Sequence, residues 1–175
     1  MSGCAISSEA GFDRQPTLRG ELVEVRPLRQ DDFDALFAAA GDPLIWEQHP
    51  DKRYREDVFR GFFAEHLATG GALAVLDARS GEVIGTSRYH DYDPERCEVE
   101  IGWTFLARAY WGGVYNGELK RLMLEHAFQF VETVLFVVAP GNIRSQRAVE
   151  KLGAVRAGTR YDDVRGERLV FALRR

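Results

Sequence analysis

Along the chain, hydrophobic and polar positions change period several times. "ELVEVRPL" (Glu21 to Leu28) alternates and predicts a strand. "RQDDFDALFAAAGDP" then predicts a helix with Phe33, Leu36, Phe37 and Ala40 on one face. Asp31 or Asp32 can cap its start, and Gly41 with Pro43 ends it. A second helix is expected over about 55–68, with a stripe of Val58, Phe59, Phe62, Phe63, His66 and Leu67. "ALAVLDA" and "EVIGTSRYHDY" predict a hairpin around the turn "RSGE". "CEVEIGWTFL" (Cys97 to Leu106) is the next strand, reached through "DPER". From Asn116 the helical period returns: Leu119, Leu122, Met123, Ala127 and Phe130 share a face, and Glu118, Lys120, Arg121, Glu125 and Gln129 fall mostly outside it. "TVLFVVA" is a continuous apolar run, the mark of a strand covered on both sides. "GNIRSQRAVEKLGA" predicts a short helix capped by Asn142 and stopped by Gly153. "AVRAGTRYDD" and "ERLVFALR" supply the last two strands.

The order is thus β, α, α, β, β, β, α, β, α, β, β. A strand–helix–strand crossover makes strands 97–106 and 133–139 parallel, and the remaining connections are mostly hairpins. The expected fold class is α+β (α/β/α): a mixed, mostly antiparallel twisted sheet with helices on both faces. Residues 1–17 show no periodicity and read as a flexible lead-in, and 18–175 as a single domain.

Composition narrows the function classes. The chain has 175 residues, is 45% hydrophobic, and has a net charge of −4. That is enough to bury a core without staples. The acidic balance speaks against nucleic acid or an anionic membrane as partner, and mildly favours a cationic ligand. No apolar run reaches the length of a membrane span. Cys4 and Cys97 match neither a disulfide framework nor a metal site, which points to a reducing cytoplasm.

The candidate chemistry lies in "YWGGVYNGELKRLM", where Gly112, Gly113 and Gly117 stand between a strand and a helix. Such a turn offers unpaired N–H groups and the positive end of a helix dipole to a phosphate. Gly112 and Gly117 have Walker A spacing, but Glu118 and Leu119 stand where lysine and serine or threonine belong. The Rossmann fingerprint is absent too. A pyrophosphate bound without metal remains.

The segment "YWGGVYNGELKRLMLEHAF" resembles the acyl-CoA motif of the GNAT N-acetyltransferase superfamily, closest to the branch of ribosomal-protein N-terminal acetyltransferases. Trp111, Gly112, Tyr115 and Glu118 carry the match, while Val114 and Asn116 depart from it. "NIRSQRAVEKLGA", with Asn142, Ser145, Lys151 and Gly153, resembles the second family motif, and "VRPLRQDDFDALFAAAGDP" the opening strand and helix. The resemblance implies acetyl-CoA as cosubstrate and an amine acceptor, either a small molecule or a peptide N-terminus. It implies that the strands at 97–106 and 133–139 splay for the acyl-CoA. Trp103, Thr104 and Phe105 would line the pantetheine arm. Trp111, Gly112, Gly113, Val114, Tyr115, Asn116, Gly117, Asn142 and Ser145 would complete the cofactor site. Members often form dimers, so a homodimer is an expectation.

The resemblance also implies a glutamate base on strand 97–106. Glu100 is the first choice, ahead of Glu98 and His90. Many relatives protonate the leaving thiolate with a tyrosine where this chain has Val149, which leaves Ser145 or a water for that place. Trp46 and His49 fall in the loop that covers the acceptor in relatives. The competing readings are a CoA-binding regulator without catalysis, and an interaction module in which the glycines only make a turn.

Overall fold

The computed structural model describes residues 11–175. Its elements in chain order are β1 (Leu18–Arg19), β2 (Val23–Pro27), α1 (Phe33–Ala40), α2 (Glu56–Ala68), β3 (Ala72–Asp77), β4 (Val83–Asp93), β5 (Glu98–Leu106), α3 (Val114–Ala127), β6 (Thr133–Val138), α4 (Ile143–Lys151), β7 (Val155–Asp162) and β8 (Gly166–Arg174). The eight strands form one sheet in the order β1-β2-β3-β4-β5-β6-β8-β7. β5 and β6 pair in parallel and every other neighbouring pair is antiparallel, as expected for the crossover. The two-residue β1 is an addition, too short to show a period. No described helix is long and apolar enough to cross a membrane.

Alternation along the strands builds two cores, one on each sheet face. Val99 and Ile101 of β5 join Leu119, Met123 and Ala127 of α3 on one side. Leu36 and Ala40 of α1 and Phe59, Phe62 and Phe63 of α2 pack with Ala72, Ala74 and Phe105 on the other. The buried stripes of α1 and α2 follow the sequence pattern.

Several expectations need correcting. The helix expected from Asn116 begins at Val114, because Gly113 adopts φ 100° and serves as its N-cap. A left-handed backbone of that kind is cheap only for glycine. Lys120, expected outside the apolar face, is 5% exposed, because it stands three, four and seven residues before Met123, Leu124 and Ala127. Asp32 does not cap α1. Its carboxylate accepts two hydrogen bonds from Arg26 and one from the Arg29 N–H. The lead-in is packed from Phe12 onward: this ring sits in the core against Tyr89 and Tyr92, and the Asp13 carbonyl meets His126 Nε2 at 2.7 Å. Cys97 is buried and disulfide-bonded, against the expectation of none, and Cys4 lies outside the described residues. The glutamate at the Walker lysine position serves the scaffold. Glu118 accepts the N–H groups of Glu21, Leu22 and Val23 at 2.7–3.1 Å, which fastens the β1–β2 turn to α3.

Candidate active site

The parallel pairing of β5 and β6 is short. It runs from Glu98↔Thr133 to Glu100↔Leu135 and stops, although β5 continues to Leu106 and β6 to Val138. On its other side β5 stays paired to β4, with a bulge: Arg88 faces Gly102 and Thr86 faces Phe105, so β5 carries one extra residue. Trp103, inside that bulge, has φ 52°, a strained value for a residue with a side chain. The bulge bends β5 away from β6 and opens a cleft of roughly 1510 Å³. Strand edges left unpaired in a cleft can pair with an extended ligand. Trp103, Thr104 and Phe105 line it.

One end of the cleft is the glycine turn. Gly112, Gly113, Asn116 and Gly117 line it, and Gly112 and Gly113 both have positive φ. A Cβ at Gly112, Gly113 or Gly117 would meet nothing within 4 Å, so the backbone is bare toward the cleft. The first-turn amides of α3 have no acceptor within the helix, whereas the Gly117 N–H already donates to the Gly113 carbonyl at 2.8 Å. Trp111 stands at the rim with its indole N–H on the Leu106 carbonyl, and the Arg144 guanidinium lies 4.3 Å from its ring centre. The donor set suits a pyrophosphate. The side chains of Val114 and Tyr115 stay out of the lining, Val114 exposed and the Tyr115 hydroxyl donating to Asp77 at 3.2 Å, so what these two residues bring to the turn is their first-turn main-chain N–H groups. Asn142 is also outside the lining. Its Oδ1 accepts the Ser145 N–H at 3.1 Å as the cap of α4. Ser145 and Val149, one turn apart on α4, both line the cleft.

Beyond the bulge lies Glu100, which is 6% exposed. Burial, with help from nearby Asp91, pushes its carboxyl up to about 7, against the pull of Arg160, Arg88 and Arg165. Among the described residues its carboxylate has no ion pair and no hydrogen bond. Glu98 is different: Arg96 and Arg160 lie 3.9 and 4.0 Å from its carboxylate. His90 sits opposite Glu100 in the β4–β5 register, held by Asp91 at 3.0 Å and lowered mainly by burial. Trp46 is a core residue that also borders the cleft, with its indole N–H on the Ala40 carbonyl. Burial drives His49 beside it down to about 4, so it is uncharged at neutral pH.

Lys120 enters the cleft floor from α3 with its Nζ 2.5 Å from Thr104 Oγ1, and Ser87 Oγ lies 2.8 Å from the same hydroxyl. Among the described residues no carboxylate pairs with it, and burial lowers it to about 7. The unfolded chain binds this proton up to about 10.5 and the folded protein only below about 7. Lys120 therefore costs stability in full below pH 7, and the cost fades as pH rises toward 10.5. Lys120→Met should raise unfolding free energy at pH 6 by on the order of 3 kcal/mol, with one hydrogen bond of about 1 kcal/mol lost against the gain. The gain should shrink by pH 10. Denaturant unfolding at the two pH values tests this, and a destabilised variant at pH 6 would refute it.

Comparison with known proteins bears on what such a cleft does. Residues 23–155 match the family model described as the acetyltransferase (GNAT) domain. The chain belongs to the GNAT acetyltransferase family. No curated protein matches the sequence. Among solved structures, an acetyltransferase from Agrobacterium tumefaciens C58 is similar, with 26% identity over 97% of this chain and 100% of that one and a TM-score of 0.72. A GCN5-related N-acetyltransferase from Brucella melitensis shares the fold with TM-score 0.81 at 20% identity, over 91% and 79% of the two chains. A Vibrio cholerae protein assigned as a ribosomal-protein-serine acetyltransferase does so with TM-score 0.74 at 15% identity, over 95% and 100%. GNAT acetyltransferases move an acetyl group from acetyl-CoA to an amine.

Proposed function

We propose that this protein is an acetyl-CoA-dependent N-acetyltransferase with Glu100 as general base. The observation that carries this reading is an unpaired, buried carboxylate of raised pKa in the same cleft as the glycine turn. Gly112, Gly113, Asn116 and Gly117 would receive the pyrophosphate, Trp111 the rim, and Trp103 to Phe105 the arm, which brings the thioester toward the bulge. The amine attacks the carbonyl carbon, the C–N bond forms, and the C–S bond breaks. The amine's surplus proton passes to Glu100, directly or through one water, and the thiolate leaves. A carboxylate whose burial raises it to about 7 suits this role, because a good fraction is ionised near neutral pH and it is still basic enough to help. No nucleophile from the protein is required.

The thiolate needs little help, since a free thiol has a pKa of roughly 8.5. Val149 offers no proton, and Ser145 is the hydroxyl one turn away on the same face of α4. Ser145→Ala should slow turnover by about tenfold, or ~1.4 kcal/mol of barrier, with little change in acetyl-CoA affinity. Single-turnover rates beside calorimetric affinities check it, and a full-rate Ser145→Ala enzyme would assign the proton to water.

The reading as a whole is tested by calorimetry with CoA and by thiol release from acetyl-CoA across a panel of amines. CoA binding with no turnover on any amine would favour a CoA-binding regulator. No binding at all would favour an interaction module.

A further inference from the structure

The acceptor side of the cleft is lined by arginines that lack full partners, and this bears on what the acceptor carries. Arg88 of β4 is 1% exposed and, among the described residues, its Nε has no hydrogen-bond partner. Its guanidinium lies 3.5 Å from the centre of the Trp103 ring, and Arg165, from the β7–β8 turn, is 5.5 Å from the same centre. Arg53 is 6% exposed, stacks 4.1 Å over Phe62, and also has an unpartnered Nε. All three line the cleft. Two carboxylates offset them in part: Asp51 lies 3.1 Å from Arg53, and Glu65 lies 3.9 Å from Arg165.

Arg88 itself is held by a neutral relay. Thr86 Oγ1 donates to the Leu73 carbonyl at 2.6 Å, so it must accept from His66 Nε2, 2.9 Å away. His66 Nδ1 is then the free lone pair, and it accepts from Arg88 Nη1 at 3.5 Å. Burial keeps His66 neutral, with its pKa down to about 3. An arginine buried on a neutral acceptor, with Glu65 and Glu100 acting on it only through space, is compensated in part, and a ligand anion would complete it. Burial lowers the three histidines around this end, and arginines add to it: Arg53 and Arg168 at His49, Arg88 and Arg53 at His66, and Arg88 and Arg165 at His90.

These groups lie where the acceptor, not the phosphates, would sit. Arg88 is in register with Gly102, two residues along β5 from Glu100, so the two side chains are diagonal neighbours on one sheet face. The glycine turn is at the other end, past Leu106. Resting on the transferase reading above, we infer that the acceptor is an amino-carboxylate, an amino acid or a small derivative of one, whose carboxylate docks on Arg88 with Arg165 and Arg53 while its amine faces Glu100.

The test compares amino acids with their own α-amides in the acetyl-CoA assay. An α-amide has the less basic amine and is the better nucleophile at neutral pH, so any preference for the acid must come from its carboxylate. Across leucine, phenylalanine, methionine and glutamine, the best acid should exceed its amide at least about tenfold in kcat/KM. Arg165→Gln, at an exposed turn, should cut that preference several-fold, mainly through KM for the acid. Calorimetry of the matching N-acetyl amino acid and N-acetyl amide on the CoA-loaded protein should show the same preference without any turnover. Amides used as well as acids, or bound as well, would overturn the proposal and leave the acetyltransferase reading standing. CoA bound with no amine acetylated and no acid preference in the binding heats would end both.

Discussion

Glu100→Gln should lower kcat/KM with a good acceptor by ~10²–10⁴-fold, the usual range for loss of a general base, and leave acetyl-CoA affinity close to that of the parent. The pH profile separates this from trivial causes. In the parent enzyme the rate should climb as pH rises through about 7, where Glu100 ionises. The variant should lose that limb and follow the acceptor's own deprotonation, so its deficit should shrink at high pH. Unfolding cannot mimic the result. The folded pKa of Glu100 lies above the ordinary glutamate value of 4.5, so its ionisation costs stability above pH 4.5, in full only above about 7. The glutamine variant should therefore melt no lower than the parent at pH 8. Normal rates at every pH would transfer the role to Glu98, His90 or an ordered water.

The element order, the parallel pair and the glycine turn were legible in the sequence because all rest on local pattern. The continuous apolar run at 133–138 announced a strand buried on both faces, and the crossover before it settled the parallel pair. The bulge at Trp103 left no such signature, since one extra residue in β5 is defined only against its partner strand. The acceptor side was hidden for a related reason. Arg53, Arg88 and Arg165 come from a loop, a strand and a turn far apart in sequence, and a net charge of −4 averages away the basic wall they form together. Lys120 could have been found: its spacing to Met123, Leu124 and Ala127 places it on the apolar stripe. Asn142 shows the converse, where a motif residue fills the plain capping role that its position before α4 predicts.

Gly117→Asp should abolish acetyl-CoA binding while the fold persists. The structural side of the argument is that the Gly117 N–H is already bonded to the Gly113 carbonyl, and a Cβ at this site meets nothing within 4 Å. Aspartate there lies in the first turns of α3, where a negative charge is favoured by the helix dipole, and it replaces a poor helix former. Stability should be unchanged or slightly higher. The ligand side is opposite in sign. The new carboxylate would stand beside the first-turn amides, in the space proposed for the pyrophosphate. Two like charges about 4 Å apart repel by about 4 kcal/mol at an effective dielectric near 20, which is roughly 10³-fold in Kd. Gly117→Ala adds bulk without charge and should weaken binding far less. Calorimetry on the three proteins, each with its melting curve, reads both sides together. A folded Gly117→Asp protein that binds acetyl-CoA like the parent would move the phosphates away from this turn, and the assignment of Gly112, Gly113 and Asn116 would go with them.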